Sequence, residues 1–212
     1  MPKSNTSFEI IKIPVGQMAA NCYLVAEKST KKTMIIDPGD VPEYLKEVII
    51  REKLLPQVII ATHGHFDHIM GVLDLQLSLK IPFLASSRDD FLITRMAGSA
   101  KHFLSIDPGP PPKPTMHLKE GHIVNVGRLE FKVLETPGHT PGSICLVNSD
   151  AIFTGDTLFS QGGVGRTDFS YSKKGDLDKS IKRILSLPKN TTILPGHGDS
   201  STIENERKNH NS

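Results

Sequence analysis

The densest chemistry in the sequence lies at Thr62-His63-Gly64-His65-Phe66-Asp67-His68, where three histidines and one aspartate fall within six residues. Neutral imidazole and carboxylate are the donor set that zinc, iron and manganese accept. His63 and His65 are two apart, so on extended backbone they project the same way. Asp67 and His68 follow where a helix is expected to begin, and Asp67 has a plainer role open to it as that helix's N-cap. Four donors so close in sequence do not readily face one ion. Two ions are the natural reading, His63 and His65 serving the first and Asp67 and His68 the second.

Each ion then needs donors from elsewhere, and three single residues have the right setting. His139 lies in Thr136-Pro137-Gly138-His139, Asp156 in Thr154-Gly155-Asp156 and His197 in Pro195-Gly196-His197-Gly198. Each is one polar residue at the end of an apolar run, beside glycines that let backbone crowd a small site. His139 would complete the first set and His197 the second, while the two oxygens of Asp156 could bridge both. Asp37, in Asp37-Pro38-Gly39, is either a turn aspartate or a hydrogen-bond partner fixing the tautomer of a ligand histidine. Arg166, in a glycine-rich stretch, either meets an anionic end of a substrate or pairs with Asp168.

Apolar patterning predicts the elements that carry these residues. Strands are expected at 8–13, 22–26, 34–36, 57–62, 83–85, 123–126, 129–134, 143–147, 151–154 and 191–194. Helices are expected at 43–54, 68–79 and 177–187, with a terminal turn or two at 203–208 and partly helical chain over 88–104. The helix at 68–79 would present Ile69, Val72, Leu73 and Leu77 on one face. Strands come in two batches mixed with helices. Two sheets packed face to face with helices outside would bury both batches, and a single doubly wound sheet fits the hairpin-like pairs less well. The proline-rich stretch 107–114 reads as an extended surface crossing within one domain.

Composition narrows the field. The 212 residues carry 25 basic and 23 acidic side chains, a formal charge of +2, which argues against a nucleic-acid binder. The longest apolar runs are far too short to cross a bilayer. The first ten residues hold no apolar core of signal-peptide length, so a cytoplasmic protein is expected. Cys22 and Cys145 fall inside apolar strands, where free thiols act as small buried hydrophobes in a reducing compartment.

Taken in order and spacing, residues 62–68, Pro137-Gly138-His139-Thr140-Pro141-Gly142-Ser143, Thr154-Gly155-Asp156 and 195–198 resemble the motifs of the metallo-β-lactamase superfamily. Asp37-Pro38-Gly39 resembles its first motif. The resemblance implies an α/β fold, a four-layer αββα sandwich of two mixed sheets flanked by helices. It covers nearly the whole chain. Residues 162–169, with Thr202, Ile203, Glu206 and Asn209, are similar to the short glyoxalase II-like hydrolases and also to the persulfide dioxygenases. Too few residues follow His197 for the helical C-terminal domain of glyoxalase II, so one domain spanning 1–212 is expected.

The implied activity is hydrolysis of a thioester, hydroxyacylglutathione-like, or of a related ester, by a hydroxide held between two divalent ions. Zinc heads the candidate metals, with iron and manganese compatible. Asp67 would ligate the second ion and also orient or accept the nucleophile's proton. The expected partner is a small-molecule substrate, with neither nucleic acid nor membrane. The alternative is a mononuclear iron persulfide dioxygenase using His63, His139 and Asp156. A metal-stabilised binding protein is a third reading, and nothing obvious in the sequence closes its site to water.

Overall fold

The computed structural model describes residues 8–210. Residues 1–7, which open the stretch weighed above as a signal sequence, and residues 211–212 lie outside the described residues. Six strands form the first sheet in chain order: β1 (Phe8–Val15), β2 (Ala20–Glu27), β3 (Lys32–Ile36), β4 (Leu55–Ile60), β5 (Phe83–Ala85) and β6 (Met116–His117). β1 to β3 are antiparallel and β3 to β6 parallel. The second sheet holds β7 (Ile123–Val126), β8 (Leu129–Glu135), β9 (Ile144–Val147), β10 (Ala151–Gly155), β11 (Thr192–Pro195) and β12 (Ser201–Thr202), in the reverse spatial order. β10 and β11 pair in parallel and the rest antiparallel, so both sheets are mixed.

The period-two alternation of each strand decides the layering. In β2, Tyr23 and Val25 face the opposite sheet, while Cys22, Leu24 and Ala26 face helices. In β9 and β10, Leu146 and Phe153 face inward and Cys145 and Ile152 outward. The seam between the sheets is filled by Tyr23, Phe131 and Phe153, whose rings meet edge to face with centroids 5.2 and 6.1 Å apart. Helices α1 (Pro42–Arg51), α2 (Phe66–Ile69), α3 (Val72–Leu79), α4 (Asp90–Thr94) and α5 (Met96–Leu104) lie with the first sheet, and α6 (Lys174–Leu185) and α7 (Ile203–His210) with the second. The result is the four-layer αββα sandwich. Among the described residues no helix is long and apolar enough to cross a membrane.

One expected helix is not continuous. The chain from 68 to 79 is split into α2 and α3 around Gly71, whose added Cβ would stand 3.1 Å from the Pro38 carbonyl oxygen. The break resets the helical phase. Val72 and Leu75 are buried in α3, and Leu77, expected on the buried face, is 66% exposed. Asp67 is not an N-cap either: His65 holds that position and Asp67 sits inside the first turn of α2.

The ends of β4, β8, β10 and β11 meet at one edge of the sandwich, tied across the sheets. Ile144 N–H donates to the Thr62 carbonyl at 2.8 Å, and Asn21 N–H to the Gly196 carbonyl at 2.7 Å. The residues following those strands are therefore brought together.

Candidate metal centre

All seven donor residues read from the sequence stand at that edge, in two groups. In the first, His65 Nδ1 lies 3.1 Å from His63 Nε2 and 3.0 Å from His139 Nε2. In the second, His197 Nε2 lies 3.3 Å from both His68 Nε2 and Asp67 Oδ2. Asp156 stands between them. Its Oδ2 is 3.7 Å from both His139 Nε2 and His197 Nε2, and its Oδ1 is 3.5 Å from His68 Nε2.

The far ring nitrogens of His63, His65, His68 and His139 each have a partner, which sets the direction in which each ring presents its other nitrogen. His139 Nδ1–H donates to the Arg166 carbonyl at 2.9 Å, and His68 Nδ1–H to Asp37 Oδ2 at 3.0 Å. The Thr62 hydroxyl donates to Asp37 Oδ2 and accepts from His63 Nδ1–H, at 2.7 and 3.1 Å. His65 Nε2–H donates to the Tyr171 hydroxyl at 2.8 Å. The lone pairs left over on His63 Nε2, His65 Nδ1 and His139 Nε2 point at one another. Protons cannot satisfy so many converging acceptors, and cations can.

Two further observations fit a cation pair. Asp156 Oδ1 is buried without a hydrogen-bond partner, a costly state for a carboxylate oxygen unless something charged meets it. Gly196 leaves the space that oxygen occupies, since a Cβ there would collide with it. The sets His63, His65, His139 and Asp67, His68, His197 both bring their donor atoms within bonding range of a single ion. Asp37 also lies near His63 and His68, but its Oδ2 is taken by the Thr62 hydroxyl and the His68 ring.

The two groups differ electrostatically. Burial, with the neighbouring imidazoles, pushes His63 down and His65 down to about 3, so both are neutral donors. Burial acts the same way on His68, yet Asp67, Asp156 and Asp37 outweigh it and lift His68 to about 10. Burial likewise opposes, and Asp67 and Asp156 overcome, a rise at His197. Asp67 is itself held below the carboxylate range, against its burial, by His68 and His197. The second group holds protons that a dication would displace.

Three contributors carried no signal in the sequence reading. Asp89 is buried and joins two donor-bearing loops. Its Oδ2 accepts from Gly64 N–H at 2.8 Å and the Thr140 hydroxyl at 2.7 Å, and its Oδ1 from Gly142 N–H at 2.7 Å. Gly64 and Gly142 permit this approach, for an added Cβ would come within 2.9 and 2.6 Å of Asp89 side-chain atoms. Tyr171 stacks on Phe169, centroids 5.3 Å apart, while reaching His65. Thr62, quoted above only as the start of a motif, relays Asp37 to His63. Arg166 pairs with Asp168 through two bonds of 3.0 and 2.8 Å, with its guanidinium over the Phe169 ring. It also lines a cavity of about 350 Å³ that opens onto the donor groups.

A four-layer sandwich carrying this His/Asp cluster where strand ends meet defines a class, and the chain belongs to it: the metallo-beta-lactamase superfamily, whose family model matches residues 15–197. The chain is 41% identical over 204 residues to an uncharacterized protein of Aquifex aeolicus, covering 93% of this chain and 94% of the relative. It is 35% identical over 202 residues to the hydroxyacylglutathione hydrolase GloC of Haemophilus influenzae, covering 92% and 93%. Among solved structures it is similar to the B3 metallo-beta-lactamase BLEG-1, with a TM-score of 0.86 at 33% identity over 94% of this chain and 97% of that one. It is also similar to TTHA1623 in a di-iron-bound form, with a TM-score of 0.85 at 34% identity over 94% and 98%.

Proposed function

We propose that this protein is a binuclear metallohydrolase that cleaves a thioester, hydroxyacylglutathione-like, or a related ester. The observation that carries the reading is the placement of Asp156 between two donor groups, with one buried oxygen that accepts no hydrogen bond. His63, His65 and His139 would hold one cation, Asp67, His68 and His197 the other, and Asp156 both. Zinc suits the nitrogen-rich first set, and iron suits both. The di-iron form of TTHA1623 supports a pair of ions, and the name of the Haemophilus relative supports the thioester. Two buried thiols, Cys22 and Cys145, accord with one domain working in the reducing cytoplasm.

When bound, the cations supply a Lewis acid for the carbonyl and a water acidified toward neutrality. The chain's own groups do the rest. Asp67 borders the cavity, and its carboxylate would orient the attacking water and take its proton. The Arg166 carbonyl, Tyr171 and Asp37 keep the donor rings turned inward. Arg166 borders the path of an entering substrate, with its charge matched by Asp168.

The test is metal analysis of the purified protein with hydrolysis of S-lactoylglutathione and oxygen uptake on glutathione persulfide. About two divalent ions per chain and thioester hydrolysis are expected. One iron with oxygen consumption would replace this reading by the dioxygenase. Asp67→Asn should lower kcat by roughly 10²–10⁴-fold with an unaltered circular dichroism spectrum, and turnover at the wild-type rate would remove Asp67 from the mechanism.

A further inference from the structure

The cavity beside the donor groups has a wall made mainly of hydrocarbon. Met18 reaches it from the β1–β2 turn, Phe66 from α2, Leu92 from α4, Phe103 from α5, and Phe159 and Val164 from the chain after β10. Met18, Phe103 and Val164 are 46%, 59% and 42% exposed, so apolar side chains stand open to water around the cavity. Such surface at a cavity rim is a site for an apolar ligand, whose binding removes it from water. Phe66 and Phe103 stack with ring planes 3° apart and centroids separated by 5.7 Å, so the exposed Phe103 ring is braced by the buried Phe66 ring on one side of the cavity.

Charge points the same way. Among the described residues lining the cavity, Arg166 is the one permanent cation, and Asp168 holds it through both carboxylate oxygens. An entering carboxylate meets Asp168 together with Arg166, so the pair offers a tripeptide thiol little net attraction. On the wall away from the donor groups a polar hydroxyacyl group meets the Ser99 hydroxyl and otherwise Met, Phe, Leu and Val.

We infer that the physiological substrate is a thioester whose acyl group is apolar, an aryl-alkyl or medium-length alkyl chain seated against the Phe66–Phe103 pair. This rests on the hydrolase reading, keeps its thioester chemistry and replaces the hydroxyacyl group by an apolar one. In the reaction water adds to the acyl carbon, the C–O bond forms and the C–S bond breaks. One thioester and one water give one carboxylate, one thiol and one proton.

The experiment uses the metal-loaded protein with the acetyl, hexanoyl and phenylacetyl thioesters of N-acetylcysteamine, a small neutral thiol, alongside S-lactoylglutathione. Each methylene taken from water is worth roughly fourfold in kcat/KM, so hexanoyl should exceed acetyl by at least about tenfold. Hexanoyl and phenylacetyl should both exceed S-lactoylglutathione. Phe103→Ser and Met18→Ser, on exposed positions, should lower the hexanoyl-to-acetyl ratio by roughly fourfold or more with metal content unchanged. A flat acyl series, a ratio untouched by both variants, or preference for S-lactoylglutathione overturns the inference and leaves the hydrolase reading standing. Failure to hydrolyse any thioester with two cations bound overturns the hydrolase reading and this inference with it.

Discussion

Two buried aspartates flank the segment that carries most of the donors, and they do different work with the same hydrogen-bonding capacity. Asp37 accepts from Thr62 N–H, the Thr62 hydroxyl and the His68 ring. Asp89 accepts from Gly64 N–H, Gly142 N–H and the Thr140 hydroxyl. Each carboxylate therefore satisfies three donors. Asp37, however, touches one imidazole directly and a second through Thr62, and so controls which nitrogen of each ring is free. Asp89 touches no ring. It fixes how far the loop bearing His63 and His65 stands from the loop bearing His139. One aspartate sets ring chemistry and the other sets loop spacing.

Replacing each by asparagine separates these jobs, because the shape is kept while one acceptor becomes a donor. The larger effect is expected at Asp89. Whichever way the new amide is turned, Asp89→Asn would set its NH₂ against at least one buried backbone N–H, costing about 3 kcal/mol. The metal-free protein should then melt roughly 6–12 °C lower, as read by calorimetry. Asp37→Asn should lower the metal-free melting temperature less than Asp89→Asn, since the φ of +49° at Asp37 is one asparagine tolerates and Asp67 and Asp156 still face the His68 ring. Its main effect falls on the neutral ring that a cation requires: His68 can then turn its Nδ1 lone pair to the new amide and carry its proton on Nε2, where a cation should bind. Metal affinity, measured by chelator competition, should drop roughly 10–100-fold. If the two variants shift melting and affinity alike, the division between them fails.

The smallest effect concerns pH. Burial holds Asp89 above the ordinary aspartate value, against the hydrogen bonds from Thr140, Gly64 and Gly142. The folded state thus binds this proton more tightly than the unfolded state. The contribution is fully present below about pH 4 and is lost as pH rises through the raised value. The stability gap between metal-free wild type and Asp89→Asn should accordingly narrow as pH climbs from about 4, read by denaturant titration at stepped pH. A gap that widens over that interval would reverse the sign assigned to the burial.

This contrast also marks what the sequence could say. Asp37 was visible as a candidate because Asp37-Pro38-Gly39, at a strand end, resembles the superfamily's first motif. Asp89 stands in an unremarkable run, Ser86-Ser87-Arg88-Asp89-Asp90, and its meaning lies wholly in three donors from loops near residues 64 and 140. Nothing in local spacing encodes that meeting. The two sheets were legible because most strands are short apolar runs bounded by turn residues, a local signal that needs no knowledge of the neighbours. The phase of α3 was not, because the break at Gly71 is imposed by the Pro38 and Gly39 backbone packed against it. Tyr171 was hidden for a similar reason, its partner His65 lying more than a hundred residues earlier.

Arg166 belongs to both the entrance and the interior. Its side chain edges the cavity beside Phe169, and its main-chain oxygen holds the His139 ring. The rim at this residue cannot be displaced without that imidazole losing its acceptor. Entry and reactivity thus share one mechanical linkage, and a ligand that pulls on the doorway also tunes the hearth.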